Sequence, residues 1–127
     1  MSEHEKINYV EFPSSDLGDT RAFFEKAFGW SFVDYGPEYS AFSGAGLDGG
    51  FYQADACSKA DRGAALVVLY SNDLEGSQRK VEEAGGTVVK PTFTFPGGRR
   101  FHFTEPCGNE FAVWSDLGIQ ARGKFWG

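Results

Sequence analysis

The feature that most constrains this chain is an internal repeat with an offset of 57 residues, the distance from Asp16 to Asp73. Both aspartates stand directly before a leucine. The same offset brings together three further identical pairs: Glu25 and Glu82, Ala27 and Ala84, and Gly29 and Gly86. Self-similarity at a fixed offset is typical of duplicated supersecondary units. We therefore predict two copies of one small folding unit.

Each copy has the hydrophobic periodicity of one strand, one helix and three further strands. In the first copy, alternation predicts a strand at residues 7–12, with Val10 and Phe12 on its core face, and Pro13 as its end. Asp16 is the predicted N-cap of a helix at 17–28 that Gly29 ends. The other predicted elements are strands at 30–35, 39–43, 47–53, 64–70, 87–90, 99–104 and 109–114 and a helix at 73–84.

Two segments carry more specific expectations. Residues 64–70 are so apolar that we predict a strand buried on both faces. Residues 91–98, which begin with Pro91 and contain Pro96 and two glycines, are predicted to form a loop. Arg99 and Arg100 follow this loop and are expected either to attract an anionic substrate or to form a solvated strand end.

The whole chain of 127 residues has the size of one α+β domain. We divide it into module one at about 6–53, a linker at 54–63, module two at about 64–115 and a tail at 116–127. The tail carries Phe125 and Trp126 in a polar segment. These two aromatic residues are expected to dock, with a partner subunit as one acceptor, and a disordered tail is the alternative.

The composition narrows the classes of partner. A net charge of −6 argues against nucleic acid and anionic membranes. We see no apolar run long enough to cross a membrane and no signal peptide, and two cysteines do not form a disulfide framework. A cytoplasmic location is therefore expected. Aromatic residues make up 17% of the chain, enough to fill a core and also line a pocket.

Three motifs together resemble the glyoxalase/bleomycin-resistance family, the vicinal-oxygen-chelate superfamily. They are the Asp-Leu pair opening each helix, the Ala-Phe-Gly-Trp segment at 27–30 and the Pro-x-Gly-Asn-x-Phe pattern at 106–111. The resemblance covers about residues 6–115. It implies two βαβββ modules that curl as incomplete barrels around a cavity. It also implies that a single two-module chain forms a homodimer.

Metal-using members of that family place His, Glu or Gln ligands on the first and last strands of each module. The resemblance carries these positions onto Tyr9, Tyr52, Leu66 and Ala112 of this chain. Two phenols, a leucine and an alanine do not supply the imidazole and carboxylate ligands that a divalent cation needs. We therefore expect neither a metal nor another cofactor.

The polar residues of the expected cavity have alternative roles. By strand parity Glu11, Glu110 and Trp114 share the inward face with Tyr9, Tyr52 and Ala112. Two carboxylates in one cavity would raise each other's pKa and serve as acid and base. A solvated position at the rim is the alternative for Glu110. Glu11 is expected to need a Tyr hydroxyl, an Arg or a ligand amine as partner. His102 is the best general-base candidate, and a purely structural histidine is its alternative.

The leading functional hypothesis is a metal-free protein that binds a small aromatic or cationic molecule. The predicted ligand-binding residues are Tyr9, Glu11, Tyr52, Leu66, His102, Glu110, Ala112 and Trp114. The competing hypothesis is a lyase or isomerase, either with Glu11 and His102 as acid and base or with a metal at ligands other than those mapped above. A third hypothesis is a structural or accessory subunit that binds no ligand.

Overall fold

Two βαβββ modules follow each other along the chain, which confirms the fold predicted from the repeat. The structure is a computed structural model and describes residues 2–117. The predicted docking of Phe125 and Trp126 lies outside the described residues and stays a prediction. No helix in the described part of the chain is long and apolar enough to cross a membrane.

Module one forms a four-stranded mixed sheet in the order β1-β4-β3-β2. Strand β1 pairs in parallel with β4, and the other neighbours are antiparallel. Its elements are β1 (Tyr9–Ser14), α1 (Leu17–Phe28), β2 (Ser31–Asp34), β3 (Tyr39–Ser43) and β4 (Asp48–Gln53).

Module two repeats this arrangement in a second sheet of order β5-β8-β7-β6, with β5 parallel to β8. A short 3-10 turn at Ala60–Arg62 lies in the linker before it. The elements are β5 (Val67–Tyr70), α2 (Leu74–Glu83), β6 (Thr87–Phe95), β7 (Gly98–Thr104) and β8 (Glu110–Ser115).

The repeat extends to individual hydrogen bonds at the start of each helix. The side chain of Asp16 accepts a hydrogen bond from a backbone N–H in the first turn of α1, and Asp73 does the same in α2. Ser14 accepts from the backbone N–H of Asp16 at 3.2 Å, and Ser71 accepts from that of Asp73 at 2.9 Å. The predicted N-cap Asp16 is thus confirmed, and Asp73, predicted as the first residue of the second helix, is that helix's N-cap. Each satisfies a helix-end donor that has no partner within the helix.

One aromatic core joins the modules. Phe24 of α1 is fully buried, and its ring stacks on Trp30 at 4.4 Å between centroids. The same ring lies 5.6 Å from Phe51 of β4 and 5.2 Å from Phe111 of β8, so it contacts the sheets of both modules. Phe12 belongs to this core, as its strand parity predicts. Each sheet therefore has one face packed on the core and one face turned away from it.

The edge position of β1 corrects its predicted bounds. The strand runs from Tyr9 to Ser14, so Ile7 lies outside it and Pro13 lies inside it. Strand β1 pairs only with β4 and therefore has one unpaired side. A proline, which has no N–H to donate, is tolerated in such an edge strand.

Two further predictions are wrong for the same reason. Strand β5 is also an edge strand, and Val68 and Tyr70 are exposed on it, so this segment is not buried on both faces. The predicted loop at 91–98 is largely strand, because β6 continues through Pro91 to Phe95. Its pairing with β7 shifts register between Lys90 and Phe93, and an irregularity in an edge strand accommodates a proline.

Candidate functional site

The faces of the two sheets that point away from the core carry the predicted site residues. We call the face of the first sheet with Tyr9, Glu11, Tyr39 and Tyr52 the tyrosine face. We call the corresponding face of the second sheet the histidine face. It carries His102, Glu110, Ala112, Trp114, Arg100, Phe93 and Phe95. Tyr9 and Tyr52 are 44% and 42% exposed, so the tyrosine face is open in the single chain.

Three side chains of the tyrosine face form a hydrogen-bonded set. The Tyr39 hydroxyl donates to Oε2 of Glu11 at 2.9 Å and lies 2.7 Å from the Tyr9 hydroxyl. Gly50 allows this arrangement, since a Cβ atom at that position would clash with the ring and hydroxyl of Tyr39. The predicted partner of Glu11 is therefore a tyrosine hydroxyl.

The pKa of Tyr39 lies far above its ordinary value. Burial is the largest cause, and the hydrogen bonds with Tyr9 and Glu11 add to it. Tyr39 thus remains a neutral hydroxyl donor throughout the physiological range. A hollow of about 510 Å³ lies beside it, lined by Tyr9, Val33, Tyr35, Tyr39, Ala41, Phe42, Ser43 and Asp48.

On the histidine face, His102 and Glu110 form a pair. The Nδ1 atom of His102, a residue only 4% exposed, lies 2.9 Å from Oε2 of Glu110. The other carboxylate oxygen accepts a hydrogen bond from the backbone N–H of Ala60 at 3.1 Å. The Glu110 side chain is therefore hydrogen-bonded both to His102 on β7 and to the linker. This corrects the expectation that Glu110 is a solvated carboxylate at the rim of the cavity.

The pKa of Glu110 is lowered. Burial is the largest single effect and acts to raise it, but the hydrogen bonds from His102 and Ala60 and the nearby basic groups of His102 and Lys90 together outweigh burial. Glu110 is therefore a carboxylate at neutral pH. It accepts the Nδ1 proton of His102, which leaves Nε2 as the reactive nitrogen of the imidazole.

The Nε2 atom of His102 has no hydrogen-bond partner among residues 2–117. His102 lines a cavity of about 610 Å³. The other lining residues are Lys59, Ala60, Asp61, Val89, Lys90, Thr104 and Glu110. A buried imidazole nitrogen without a partner, next to a cavity, can bind a ligand or exchange a proton with it.

The two arginines after the predicted loop separate to opposite faces of β7. Arg99 bonds to Glu75 of α2 at 2.6 Å and keeps the pKa of that carboxyl below its ordinary value. The Arg100 guanidinium lies over the rings of Phe93 and Phe95 at 5.3 and 5.5 Å. Only Arg100 is therefore placed to contribute to a site on the histidine face.

An apolar cleft of about 460 Å³ forms a third cavity, lined from both edge strands β1 and β5. Val10 and Phe12 line one side, and Val67 and Leu69 line the other. No charged side chain lines it, and the lining residues with a polar side-chain atom are Trp30 and Tyr70. Leu66, a predicted site residue, is half-buried just before β5 and does not line this cleft.

The predicted site residues are divided between the sheets. Tyr9, Glu11 and Tyr52 lie on the tyrosine face, and the four predicted residues of β7 and β8 lie on the histidine face. Within one chain, Glu11 and Glu110 have separate partners, and Glu11 does not contact His102.

The sequence prediction missed Tyr39 and Lys90. Tyr39 lies directly opposite Tyr52 on the neighbouring strand, and Lys90 lies opposite His102. Their strand parity was available in the sequence. Their pairing partners depend on register, which the sequence did not define.

The sequence profile of the Glyoxalase/Bleomycin resistance protein/Dioxygenase superfamily matches residues 6–113. The chain belongs to this superfamily. Among curated proteins, no sequence matches this superfamily member significantly.

Solved structures share its fold. A glyoxalase/bleomycin resistance protein/dioxygenase family enzyme from Burkholderia phytofirmans PsJN is 16% identical and superposes with a TM-score of 0.72, covering 87% of this chain and 98% of that chain. Lactoylglutathione lyase from Agrobacterium tumefaciens is 20% identical, with a TM-score of 0.67 and 98% of both chains covered. A glyoxalase-related enzyme from Fulvimarina pelagi is 20% identical, with a TM-score of 0.67, covering 87% of this chain and 88% of that chain. At these identities the similarity establishes the fold alone.

The strand register changes the mapping between the modules of this superfamily member. Tyr52 lies opposite Pro13, and Trp114 lies opposite Tyr70, which stands 57 residues after Pro13. Tyr52 is therefore equivalent to Trp114. This corrects the sequence prediction, which placed Tyr52 and Ala112 at equivalent positions of the two modules. The two-residue difference preserves the face of the sheet.

The corrected mapping pairs Ala112 with Gly50. Carried over with this mapping, the last strands supply either Gly50 and Ala112 or Tyr52 and Trp114 beside Tyr9 and Leu66, and neither set includes an imidazole or a carboxylate. Among residues 2–117, no group of three or more His, Cys, Asp or Glu side chains is arranged to hold a metal ion. The residues present at these positions do not fit a divalent cation.

Proposed function

We propose that this superfamily member binds a small aromatic or cationic molecule at the tyrosine face and sequesters it. The hydrogen-bonded set of Tyr9, Tyr39 and Glu11 on an open sheet face is the observation that carries this proposal. Oε2 of Glu11 accepts from Tyr39, and Oε1 has no hydrogen-bond partner among the described residues. An exposed carboxylate oxygen beside several tyrosine rings is suited to an organic cation.

The physical basis is the charge distribution of the aromatic ring. Its negative face attracts a cation, and a neighbouring carboxylate adds a full negative charge. Because Tyr39 keeps its proton, its hydroxyl holds Glu11 in place without adding a second charge. The adjacent hollow of about 510 Å³ falls within the range of small-molecule sites.

We propose that binding takes place in the cytoplasm and that it needs neither a metal nor another cofactor. It is supported by the donor set at the mapped positions, which does not fit a metal. The alternative of a lyase or isomerase that uses Glu11 and His102 as acid and base is less well supported, because Glu11 is already hydrogen-bonded to Tyr39 and His102 to Glu110.

Binding to two isosteric probes tests the proposal. We expect 2-phenylethylammonium to bind about fivefold more tightly than neutral 2-phenylethanol, and Glu11→Gln to remove this difference, because the carboxylate charge is worth about 1 kcal/mol at such a site. Calorimetry and NMR titration measure both affinities. Treatment with EDTA should change neither affinity.

Glu25→Gln is the matched control, since Glu25 is exposed on α1 away from the tyrosine face. It should leave both affinities unchanged. Equal binding of the charged and neutral probes by the wild-type protein, or equal effects of the two glutamine variants, would contradict the proposal.

We also propose a homodimer in which the tyrosine face of one copy lies over the histidine face of the other. The first face carries the acidic residues Glu11 and Asp48, and the second carries Lys90 and Arg100, so their charges are complementary. Light scattering should give about twice the chain mass of 13.9 kDa. Lys90→Glu should shift the mass toward the monomer, whereas Lys80→Glu on α2 should not. A monomeric wild-type protein would exclude this dimer.

A further inference from the structure

We propose that the histidine face is a separate site for a small aromatic carboxylate. Arg100 and His102 would bind the carboxylate, and Phe93, Phe95 and Trp114 would hold the ring. This site differs from the proposed cation site in sheet, in ligand charge and in the residues that bind.

Two buried nitrogen atoms without partners point to a ligand. Nε2 of His102 and Nε of Arg100 are both buried, and neither has a hydrogen-bond partner among residues 2–117; the third such atom, Nε of Arg99, belongs to the side chain that bonds to Glu75 on the other face of β7. His102 and Arg100 are two positions apart on β7, so their side chains extend from the same face of the strand. Buried polar nitrogens are normally paired, which makes two neighbouring exceptions informative.

The charge around these nitrogens favours an anion. Lys90 lies directly opposite His102, and Arg100 is a further basic side chain on the same face of the sheet. Glu110 is the acidic group of the pair, but both of its oxygens already accept hydrogen bonds, from His102 and from the N–H of Ala60. The cavity beyond them adds one positive and one negative side chain, Lys59 and Asp61, which offset each other.

Proton placement on His102 is consistent with anion binding. The Nδ1 proton of His102 is held by Glu110, so an imidazole that carries a proton on both nitrogens would donate from Nε2 to the ligand. The imidazolium would then lie between two carboxylates, that of Glu110 and that of the ligand. Arg100 would add a guanidinium donor, the side chain that best matches carboxylate geometry.

The aromatic residues provide the place for a ring. Phe93 and Phe95 hold the Arg100 guanidinium over their faces. The Trp114 ring lies 6.3 Å from Phe95, and Trp114 is directly opposite Arg100 in the strand register. A flat ligand whose carboxylate reaches Arg100 would therefore have its ring beside Trp114.

Phenylacetate is the test probe, with 2-phenylethanol as its neutral counterpart. We expect the full-length protein to bind phenylacetate about tenfold more tightly than the alcohol, and Arg100→Gln to remove most of this difference. Arg99→Gln is the matched control on the same strand, because Arg99 is bonded to Glu75 on the other face. Glu25→Gln, at an exposed position on α1 away from both sheet faces, should also leave phenylacetate binding unchanged.

His102 can be followed without replacing it. The chain has two histidines, so the Nε2 resonance of His102 should shift toward its protonated value on phenylacetate binding while His4 stays constant. The proposal is overturned if phenylacetate binds no better than the alcohol. It is equally overturned if Arg99→Gln weakens binding as much as Arg100→Gln, or if the His102 signal does not respond at saturation.

Discussion

Glu105→Ala is expected to lower the free energy of unfolding by about 3–4 kcal/mol, one of the two largest single-residue effects that we predict. Glu105 is 1% exposed, and its carboxylate accepts four hydrogen bonds. The donors are the Thr20 hydroxyl, the backbone N–H groups of Cys107 and Asn109, and the Asn109 side-chain amide. Alanine would leave these buried donors without an acceptor.

Urea denaturation followed by circular dichroism measures the loss. Glu38→Ala is the control, because Glu38 is exposed and its change should stay within about 0.5 kcal/mol. Glu105→Gln preserves the shape but replaces one acceptor oxygen by a donor, so we expect an intermediate loss. A change of less than about 1 kcal/mol for Glu105→Ala would show that water or rearranged side chains satisfy the four donors.

Glu105 matters because it belongs to the junction between the modules. Thr20 comes from the first helix of module one, whereas Glu105 and Asn109 belong to the closing turn of module two. Asn109 also donates to the carbonyl of Pro13 and accepts from the N–H of Ser58, both at 2.7 Å. The Pro-x-Gly-Asn-x-Phe pattern that resembles the family thus has a structural role at this junction.

The sequence predicted the features that local chemistry determines. The cap at Asp16, the Asp-Leu pair that opens each helix and the helix end at Gly29 depend on residues within a few positions of one another. The alternation of Phe12 with its polar neighbours likewise identified a core face without knowledge of its partner. The duplicated fold followed from these local signals and from their repetition along the chain.

The errors came from the order of strands in each sheet. Whether Pro91 can lie in a strand, or whether Val68 is exposed, depends on which strands are at an edge. Strand order is a property of long-range pairing, and the apolar character of a segment does not report it.

The candidate sites show the same limit. His102 and Glu110 were both assigned to one face of the sheet, but their contact depends on the register that the β7–β8 turn imposes. Glu11 required a partner by its chemistry, and several partners were equally suitable. Tyr39 is that partner because β3 pairs with β4 next to Gly50, and the absence of a side chain at Gly50 leaves space for the tyrosine ring.

The second large effect is expected for Phe24→Ala, which should lower the free energy of unfolding by about 3–5 kcal/mol. Phe24 is 0% exposed, and its removal would leave a cavity among Trp30, Phe51 and Phe111. Domains of this size have only about 5–15 kcal/mol of total stability. Urea denaturation followed by both circular dichroism and Trp fluorescence measures the loss.

The form of the transition tests the packing between the modules. Because Phe24 contacts Phe51 of the first sheet and Phe111 of the second, its loss should destabilise both in one cooperative transition. Phe95→Ala is the control, since Phe95 is half-buried on the histidine face and should cost about 1 kcal/mol. If the Phe24→Ala variant unfolds in two steps, with half of the signal retained at the wild-type midpoint, then the aromatic core does not couple the modules as this packing requires.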